Sequence, residues 1–126
     1  MNLVDSSGWM EYFGGGANAR FFAPAIENSR LLIVPSISIY EVFKRSWQLR
    51  GRQDALQAAL LMQIGRVVEL SATLAIEAAR ISLKNKLPMA DSVILATARA
   101  YHAVVWTQDA DFKGLENVKY VEVPPR

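Results

Sequence analysis

The chain contains no cysteine, and its 126 residues include a single histidine, His102. Without cysteine it can form no disulfide, no thiolate nucleophile and no zinc site with cysteine ligands. His102 is predicted to end a helix, where a positive charge suits the helix dipole, so we assign it no catalytic role. A metal or acid–base site in this chain is therefore expected to depend on carboxylates.

Long apolar runs are also missing, because no segment approaches the ~20 apolar residues that a membrane helix needs. No basic stretch precedes an apolar one at the N-terminus, so no signal peptide is expected. Hydrophobic residues nevertheless make up 52% of the chain, which is enough for a buried core. We expect a single domain over residues 1–126, with no membrane association and a cytoplasmic location.

Charge of either sign is in little excess, with 14 Lys and Arg against 12 Asp and Glu, a formal net charge of +2. The small surplus gains meaning if several acids gather in one cleft, because the remaining surface is then more basic than the total suggests. A nucleic-acid backbone could bind such a surface.

Short apolar runs alternate with helical patterns along the whole chain. The predicted strands are residues 2–4, 31–34, 67–70, 104–106 and 118–123, and the predicted helices are about 7–13, 18–28, 36–49, 53–64, 71–85 and 88–102. Pro35 is expected to stop the second strand, and Ser36 and Ser71 to cap helices. The glycines at 14–16 predict a flexible turn. Such alternation indicates an α/β fold with a mainly parallel, buried sheet.

Acidic residues follow two of these strands. Asp5 ends the first strand, and Asp109 and Asp111 follow the fourth in the run VVWTQDADFKGL. In open parallel sheets, ligands bind beyond the carboxyl ends of the strands. If the two strands are neighbours, Asp5 and Asp109 meet at one edge. The alternatives are that Asp5 caps the next helix and that the later pair simply forms a turn.

Two helices carry further acids on faces that are largely apolar. Asp91 begins the stripe that continues through Ile94 and Leu95, and Glu41 lies at the edge of the stripe through Ile37. Alternatively, Asp91 serves only to stabilise its own helix, because a negative charge in the first turn interacts favourably with the helix dipole. Glu41 could instead form an ion pair with Lys44 or Arg45.

Several carboxylates at one edge raise one another's pKa and resist ionising together. A hard divalent cation relieves this repulsion, and a set of oxygen ligands without His or Cys favours Mg²⁺ or Mn²⁺ over Zn²⁺. Such centres serve phosphoryl chemistry.

Four segments in order resemble the PIN-domain ribonucleases, in particular the VapC-type toxins of toxin–antitoxin pairs: VDSSGWMEYF, PSISIYEVFKR, LPMADSVILATAR and VVWTQDADFKGL. Together they span nearly the whole chain. The resemblance implies a three-layer α/β/α sandwich with a short parallel sheet. It also implies an Mg²⁺- or Mn²⁺-dependent endoribonuclease that hydrolyses RNA phosphodiesters with a metal-activated water, leaving a 5′-phosphate and a 3′-hydroxyl, and that a cognate antitoxin silences.

The resemblance also assigns roles to residues. Asp5 and Asp91 match the principal metal-binding aspartates. Asp109 matches the fourth acid of the family and is expected to be the third metal ligand. Glu41 matches the helix glutamate that completes the pocket. The supporting positions are Ser7, Thr107 and Asp111, the last being an alternative to Asp109. Lys44, Arg45 and Lys86 are predicted to contact substrate phosphates because they are near the acids in sequence.

Two protein partners are expected. An antitoxin is predicted to dock against helices bearing Trp9, Phe13, Phe43 or Trp47. A second copy of the chain is predicted to pack on the apolar helix with Leu56, Leu60, Leu61 and Met62, giving a homodimer.

Two other functions remain open. In an aspartyl-phosphate phosphatase of the haloacid-dehalogenase type a second acid stands two residues after the first, where this chain has Ser7. A receiver domain needs a second acid close to the first and a lysine after the last strand, and neither is evident. A non-catalytic PIN-like scaffold would be expected to have lost some of the acids, whereas all four matching positions are acidic.

Overall fold

The computed structural model describes residues 1–125. Five short parallel strands within this range form the centre of the molecule. The strands are β1 (Asn2–Val4), β2 (Leu32–Pro35), β3 (Arg66–Val68), β4 (Val104–Thr107) and β5 (Val118–Tyr120). They pair in the order β3-β2-β1-β4-β5, and every pair is parallel. Strand β1 is therefore central, and β4 is its neighbour. This is the arrangement that Asp5 and Asp109 need in order to lie at the same edge of the sheet.

In the part of the chain that the structure describes, six helices connect the strands. They are α1 (Ser6–Gly14), α2 (Ala19–Ile26), α3 (Ser36–Arg50), α4 (Arg52–Met62), α5 (Ala72–Asn85) and α6 (Met89–Ala100), with short 3₁₀ turns at Ser29–Leu31 and Ala110–Phe112. Among residues 1–125, none of the helices is both long and apolar enough to cross a membrane.

The helices cover both faces of the sheet. Along β1, Leu3 packs with α5 and α6, and Val4 packs with α1, α2 and α4, because successive strand residues point to opposite faces. On the second face Trp9 and Met62 are buried, at 1% and 0% exposure. The molecule is thus an α/β/α sandwich, which confirms the predicted fold class.

The boundary between β2 and α3 differs from the prediction. Pro35 is the last residue of β2, paired with Val68, and it is also the N-cap of α3 with φ −62°. Ser36 is the first helical residue, so the prediction that Ser36 caps this helix is wrong. The reason is that the fixed φ of proline suits both a strand end and the residue before a helix. The cap at Ser71 is confirmed, since its hydroxyl accepts from Leu74 N at 3.1 Å.

Gly15 and Gly16 lie in the turn between α1 and α2, whereas Gly14 is the last residue of α1. Gly15 ends α1 in the left-handed region at φ 65°, which glycine adopts without the penalty of a Cβ atom. A Cβ on Gly16 would collide with the carboxylate of Glu11. That carboxylate accepts a hydrogen bond from Asn18 N at 2.9 Å, and so it anchors the start of α2.

Candidate metal-binding active site

Asp5 is a buried carboxylate at the carboxyl end of the central strand, with 2% of its surface exposed. Its Oδ1 accepts from Ser7 Oγ at 2.7 Å and from Gly8 N at 2.9 Å. Asp5 is therefore also the N-cap of α1, so the capping alternative holds alongside the site position. Burial raises the pKa of Asp5 to about 6, although its hydrogen bonds oppose that rise.

Thr107 connects Asp5 to the acids that follow β4. Its buried hydroxyl donates to Asp5 Oδ2 at 2.6 Å and accepts from Asp109 N at 2.8 Å. The hydroxyl of Ser7 plays a parallel role, since it donates to Asp5 and accepts from Gln108 N at 3.5 Å. Both supporting hydroxyls thus lie beside Asp5, and they fix its carboxylate to the end of β4.

Asp91 lies in the first turn of α6 and is half-buried. Burial, together with the negative charges of Asp109, Asp5, Asp111 and Glu41, raises its pKa to about 7. Asp91 therefore shares one electrostatic environment with the other acids that the sequence singled out.

Asp109 and Asp111 complete the acidic cluster. Asp109 Oδ1 accepts from Asp111 N at 2.9 Å, which makes Asp109 the cap of the 3₁₀ turn. The turn alternative is thus also correct for this pair. Asp91, Asp109 and Asp111 each offer one carboxylate oxygen, and these oxygens lie within 4.8 Å of one another. Asp111 consequently belongs to the same candidate cation site as Asp91 and Asp109.

The donor set fits a hard divalent cation. Carboxylate oxygens are the ligands that Mg²⁺ and Mn²⁺ prefer, and a cation there would relieve the repulsion that raises the pKa of Asp91. The lone histidine is at the other end of β4, because His102 precedes Val104 whereas Asp109 follows Thr107.

Glu41 is held by a residue that the sequence analysis did not select. Ser6 Oγ donates to Glu41 Oε1 at 2.5 Å, across 35 positions of sequence. Among residues 1–125, Glu41 has neither Lys44 nor Arg45 within 4.0 Å as an ion-pair partner. The ion-pair alternative is therefore wrong, because Ser6 orients the carboxylate instead. The sequence feature that could have pointed to Ser6 as a site residue is the pair of serines, Ser6 and Ser7, directly after Asp5.

The three predicted phosphate contacts are placed differently. Lys44 and Arg45 line a cavity together with Ser7 and Glu41. Lys86 is the left-handed residue that ends α5, with φ 55°, and it does not line that cavity. Of the three, only Lys44 and Arg45 therefore share a cavity with one of the predicted acids, Glu41.

The molecule is thus a parallel α/β/α sandwich in which acids that follow β1 and β4 meet acids from α3 and α6, a set that could bind a metal ion. The PIN domain family matches residues 3–117 of this sequence. The chain therefore belongs to the PIN domain family, and the resemblance seen in the sequence is confirmed.

Solved structures of toxins share this fold. A toxin–antitoxin complex from Klebsiella pneumoniae is 20% identical with a TM-score of 0.82, covering 98% of this chain and 100% of that one. VapC20 from Mycobacterium tuberculosis, described as a sarcin-ricin loop cleaving toxin, is 20% identical with a TM-score of 0.80, covering 99% and 100%. DNA-bound VapBC from Salmonella typhimurium is 14% identical with a TM-score of 0.72, covering 97% and 98%. None of the curated proteins compared matches the chain.

Proposed function

We propose that this PIN-domain protein is a divalent-metal-dependent endoribonuclease and the toxin of a type II toxin–antitoxin pair. The observation that carries the proposal is the convergence of Asp91, Asp109 and Asp111 within 4.8 Å, beside buried Asp5. Membership of the PIN domain family and the fold shared with VapC toxins support it. A cytoplasmic location stays a prediction.

The acids divide into cation ligands and their supports. Asp91 and Asp109, with Asp5 or Asp111, would hold Mg²⁺ or Mn²⁺. A bound cation supplies charge neutralisation at the phosphate and lowers the pKa of an attacking water. Ser7 and Thr107 keep the Asp5 carboxylate in place, since both hydroxyls donate to it.

Glu41 is the acid left for proton transfer. Its carboxylate is fixed by Ser6 at 2.5 Å, and its pocket also contains Lys44 and Arg45. Glu41 orients the attacking water or accepts its proton. The attack gives a 5′-phosphate and a 3′-hydroxyl, and it requires neither a 2′-hydroxyl nucleophile nor a histidine.

The direct test is incubation of the purified chain with total cellular RNA, with Mn²⁺ or with chelator, followed by mapping of new 5′ ends. Discrete new ends that depend on metal are expected. Equal cleavage after removal of metal with EDTA would exclude the mechanism.

An antitoxin is the proposed regulator, and the structure offers it a cavity of about 260 Å³ between α1, α2 and α4. The apolar lining includes Tyr12, Phe13, Ile26 and Ile64. Trp9 is 1% exposed, so it forms the floor of this cavity and not an open contact surface. An apolar segment of the partner would dock there, and a following arginine would pair with the acids.

The arginine is tested with a co-expressed partner. Alanine at its basic residues should leave the complex intact but restore RNA cleavage. If inhibition is unchanged and Mn²⁺ still reaches Asp5 and Asp91 in the complex, the partner does not plug the acidic cleft.

A homodimer remains a proposal with a correction to its surface. Met62 is fully buried, so it cannot contact a second copy, whereas Leu60 is 68% exposed. The opposite helical layer presents Leu83 at 84% exposure. Light scattering measures the mass of the Leu60→Glu and Leu83→Glu variants in solution. The variant that becomes monomeric identifies the residue at the dimer contact. A wild-type mass of 14.0 kDa would contradict the dimer.

The aspartyl-phosphate alternatives are disfavoured by topology and by Ser7. Receiver domains use the strand order 2-1-3-4-5, whereas this sheet has the order β3-β2-β1-β4-β5. The position two residues after Asp5 is a serine that donates to Asp5, not a second acid. The scaffold alternative predicts that RNA binds but stays intact in Mn²⁺, which the cleavage assay decides.

A further inference from the structure

A cavity of about 360 Å³ opens between α1 and α3. Its lining approaches the aspartates through Ser7, which donates to Asp5, and through Glu41, whose charge raises the pKa of Asp91. Tyr40, Lys44, Arg45 and Gln48 line it from α3. From Glu41 to Gln48 the helix advances ~10 Å at ~1.5 Å per residue. The cavity therefore leads away from the acids over the length of several side chains.

Two cations in this cavity have no carboxylate partner. Glu41 precedes Lys44 and Arg45 by three and four residues, a spacing that favours ion pairs on a helix. Among the described residues, however, no carboxylate oxygen lies within 4.0 Å of either cation. Glu41 accepts from Ser6 instead. Lys44 and Arg45 are therefore free to bind an anion in the cavity that Ser7 and Glu41 also line.

An aromatic ring stands beside these cations. Tyr40 is 58% exposed, which is unusual for a large aromatic side chain. Lys44 Nζ lies 5.7 Å from the centroid of its ring. An exposed ring next to phosphate-binding cations is how proteins hold single-stranded nucleic acid, with the base stacked on the ring. Gln48, one turn beyond Lys44, carries an amide that can both donate to and accept from a base edge.

We propose that this cavity binds the nucleotide next to the scissile phosphate, with the base stacked on Tyr40 and a phosphate between Lys44 and Arg45. Gln48 then contacts the base edge, and Tyr40 and Gln48 determine sequence preference. This inference rests on the proposed nuclease function and adds a base-binding subsite to it.

The subsite is tested without cleavage, by NMR titration of the ¹⁵N-labelled chain in Mg²⁺ with the four nucleoside 5′-monophosphates. Ribose 5-phosphate is the probe that lacks a base. Amide shifts are expected at Tyr40, Lys44 and Gln48, with at least one nucleotide binding about tenfold tighter than ribose 5-phosphate. Tyr40→Ala should abolish that difference, Tyr40→Phe should retain it, and Arg45→Gln should weaken all five probes.

Equal affinity of wild type for nucleotides and ribose 5-phosphate would overturn the subsite. So would retention of the difference in Tyr40→Ala. Shifts at Tyr40 caused only by a protein partner would overturn it as well, because the cavity would then be a protein contact.

Cleavage kinetics separate this inference from the proposed function. In Tyr40→Ala the KM for RNA should rise about tenfold with kcat little changed, whereas the exposed control Glu116→Gln should behave as wild type. RNA cleavage with an unchanged KM in Tyr40→Ala would reject the subsite and keep the nuclease. Base-dependent binding at Tyr40 without RNA cleavage in Mg²⁺ or Mn²⁺ would reject the nuclease and keep the subsite.

Discussion

Single carboxyl groups carry the chemistry of this site, and Asp91 shows how strongly the surroundings change them. Burial, together with the charges of Asp109 and Asp5, raises its pKa from 3.8 to about 7. The folded chain therefore binds more protons than the unfolded chain between those two values. Without metal, the contribution of Asp91 to stability is fully present below pH 3.8 and is lost as the pH rises to about 7.

Asp91→Asn should remove much of this pH dependence. In EDTA at pH 8 the variant should melt at a higher temperature than the wild type, because one buried negative charge is gone. Some dependence should remain, since the pKa of Asp5 is also raised, to about 6. Melting curves from pH 4 to pH 8 measure the effect, with the exposed Glu116→Gln as the control. Superimposable wild-type and Asp91→Asn profiles would show that Asp91 is an ordinary solvated carboxyl.

Asp109 and Asp111 are expected to differ in importance. The charge of Asp109 raises the pKa of both Asp5 and Asp91, whereas that of Asp111 acts on Asp91 alone. Asp109 is thus close to both principal acids. Asp109→Asn should lose more cleavage activity than Asp111→Asn, and the amide oxygen can preserve the cap of the 3₁₀ turn. The reverse order of losses, measured at saturating Mn²⁺, would make Asp111 the fourth acid.

The acids were predictable at residue scale because strand ends and helix faces are local patterns. Asp5 and Asp109 follow adjacent parallel strands, as expected. The bond from Ser6 to Glu41 was not predictable, since it joins positions that only the tertiary fold brings together. The same bond explains why the locally favoured pairing of Glu41 with Lys44 or Arg45 fails.

At the scale of elements, composition predicted which segments are strands and helices better than where they end. The last strand was predicted to reach residue 123 but ends at Tyr120. It lies at the sheet edge, where the alternating apolar pattern continues but only one neighbouring strand is available for pairing. Pro35 is likewise part of β2, although it was expected to stop this strand. Its pairing with Val68 outweighs the tendency of proline to end strands.

The contact between α1 and α2 depends on Gly8. A Cβ atom there would lie 2.6 Å from side-chain carbons of Phe22 and Val4. Gly8→Ala should therefore destabilise the fold by about 1–3 kcal/mol through overpacking. Gly14→Ala is the matched control, because its Cβ would meet only the flexible end of Arg50 at 3.0 Å. Urea unfolding compares them, and equal midpoints would show that α1 and α2 separate easily.

At the scale of the whole molecule, the strand order could not be read from the sequence. Alternating strands and helices predict a parallel sheet, but several orders satisfy that pattern. The order β3-β2-β1-β4-β5 is what places β1 beside β4. Because β1 and β4 are adjacent, Thr107 lies within hydrogen-bonding distance of Asp5, at 2.6 Å. The site is therefore a property of the topology as much as of the acids.

Metal-dependent RNA cleavage is the central claim, and restoration of activity after metal removal tests it most directly. The wild-type chain, stripped with EDTA and dialysed, should leave a defined RNA intact and cleave it again when Mn²⁺ is added. Asp91→Asn should remain more than about a hundredfold slower in the same Mn²⁺, because even the outer partners of metal ligands are worth about 10–100-fold. Cleavage by the stripped protein, or wild-type rates in Asp91→Asn, would contradict the claim.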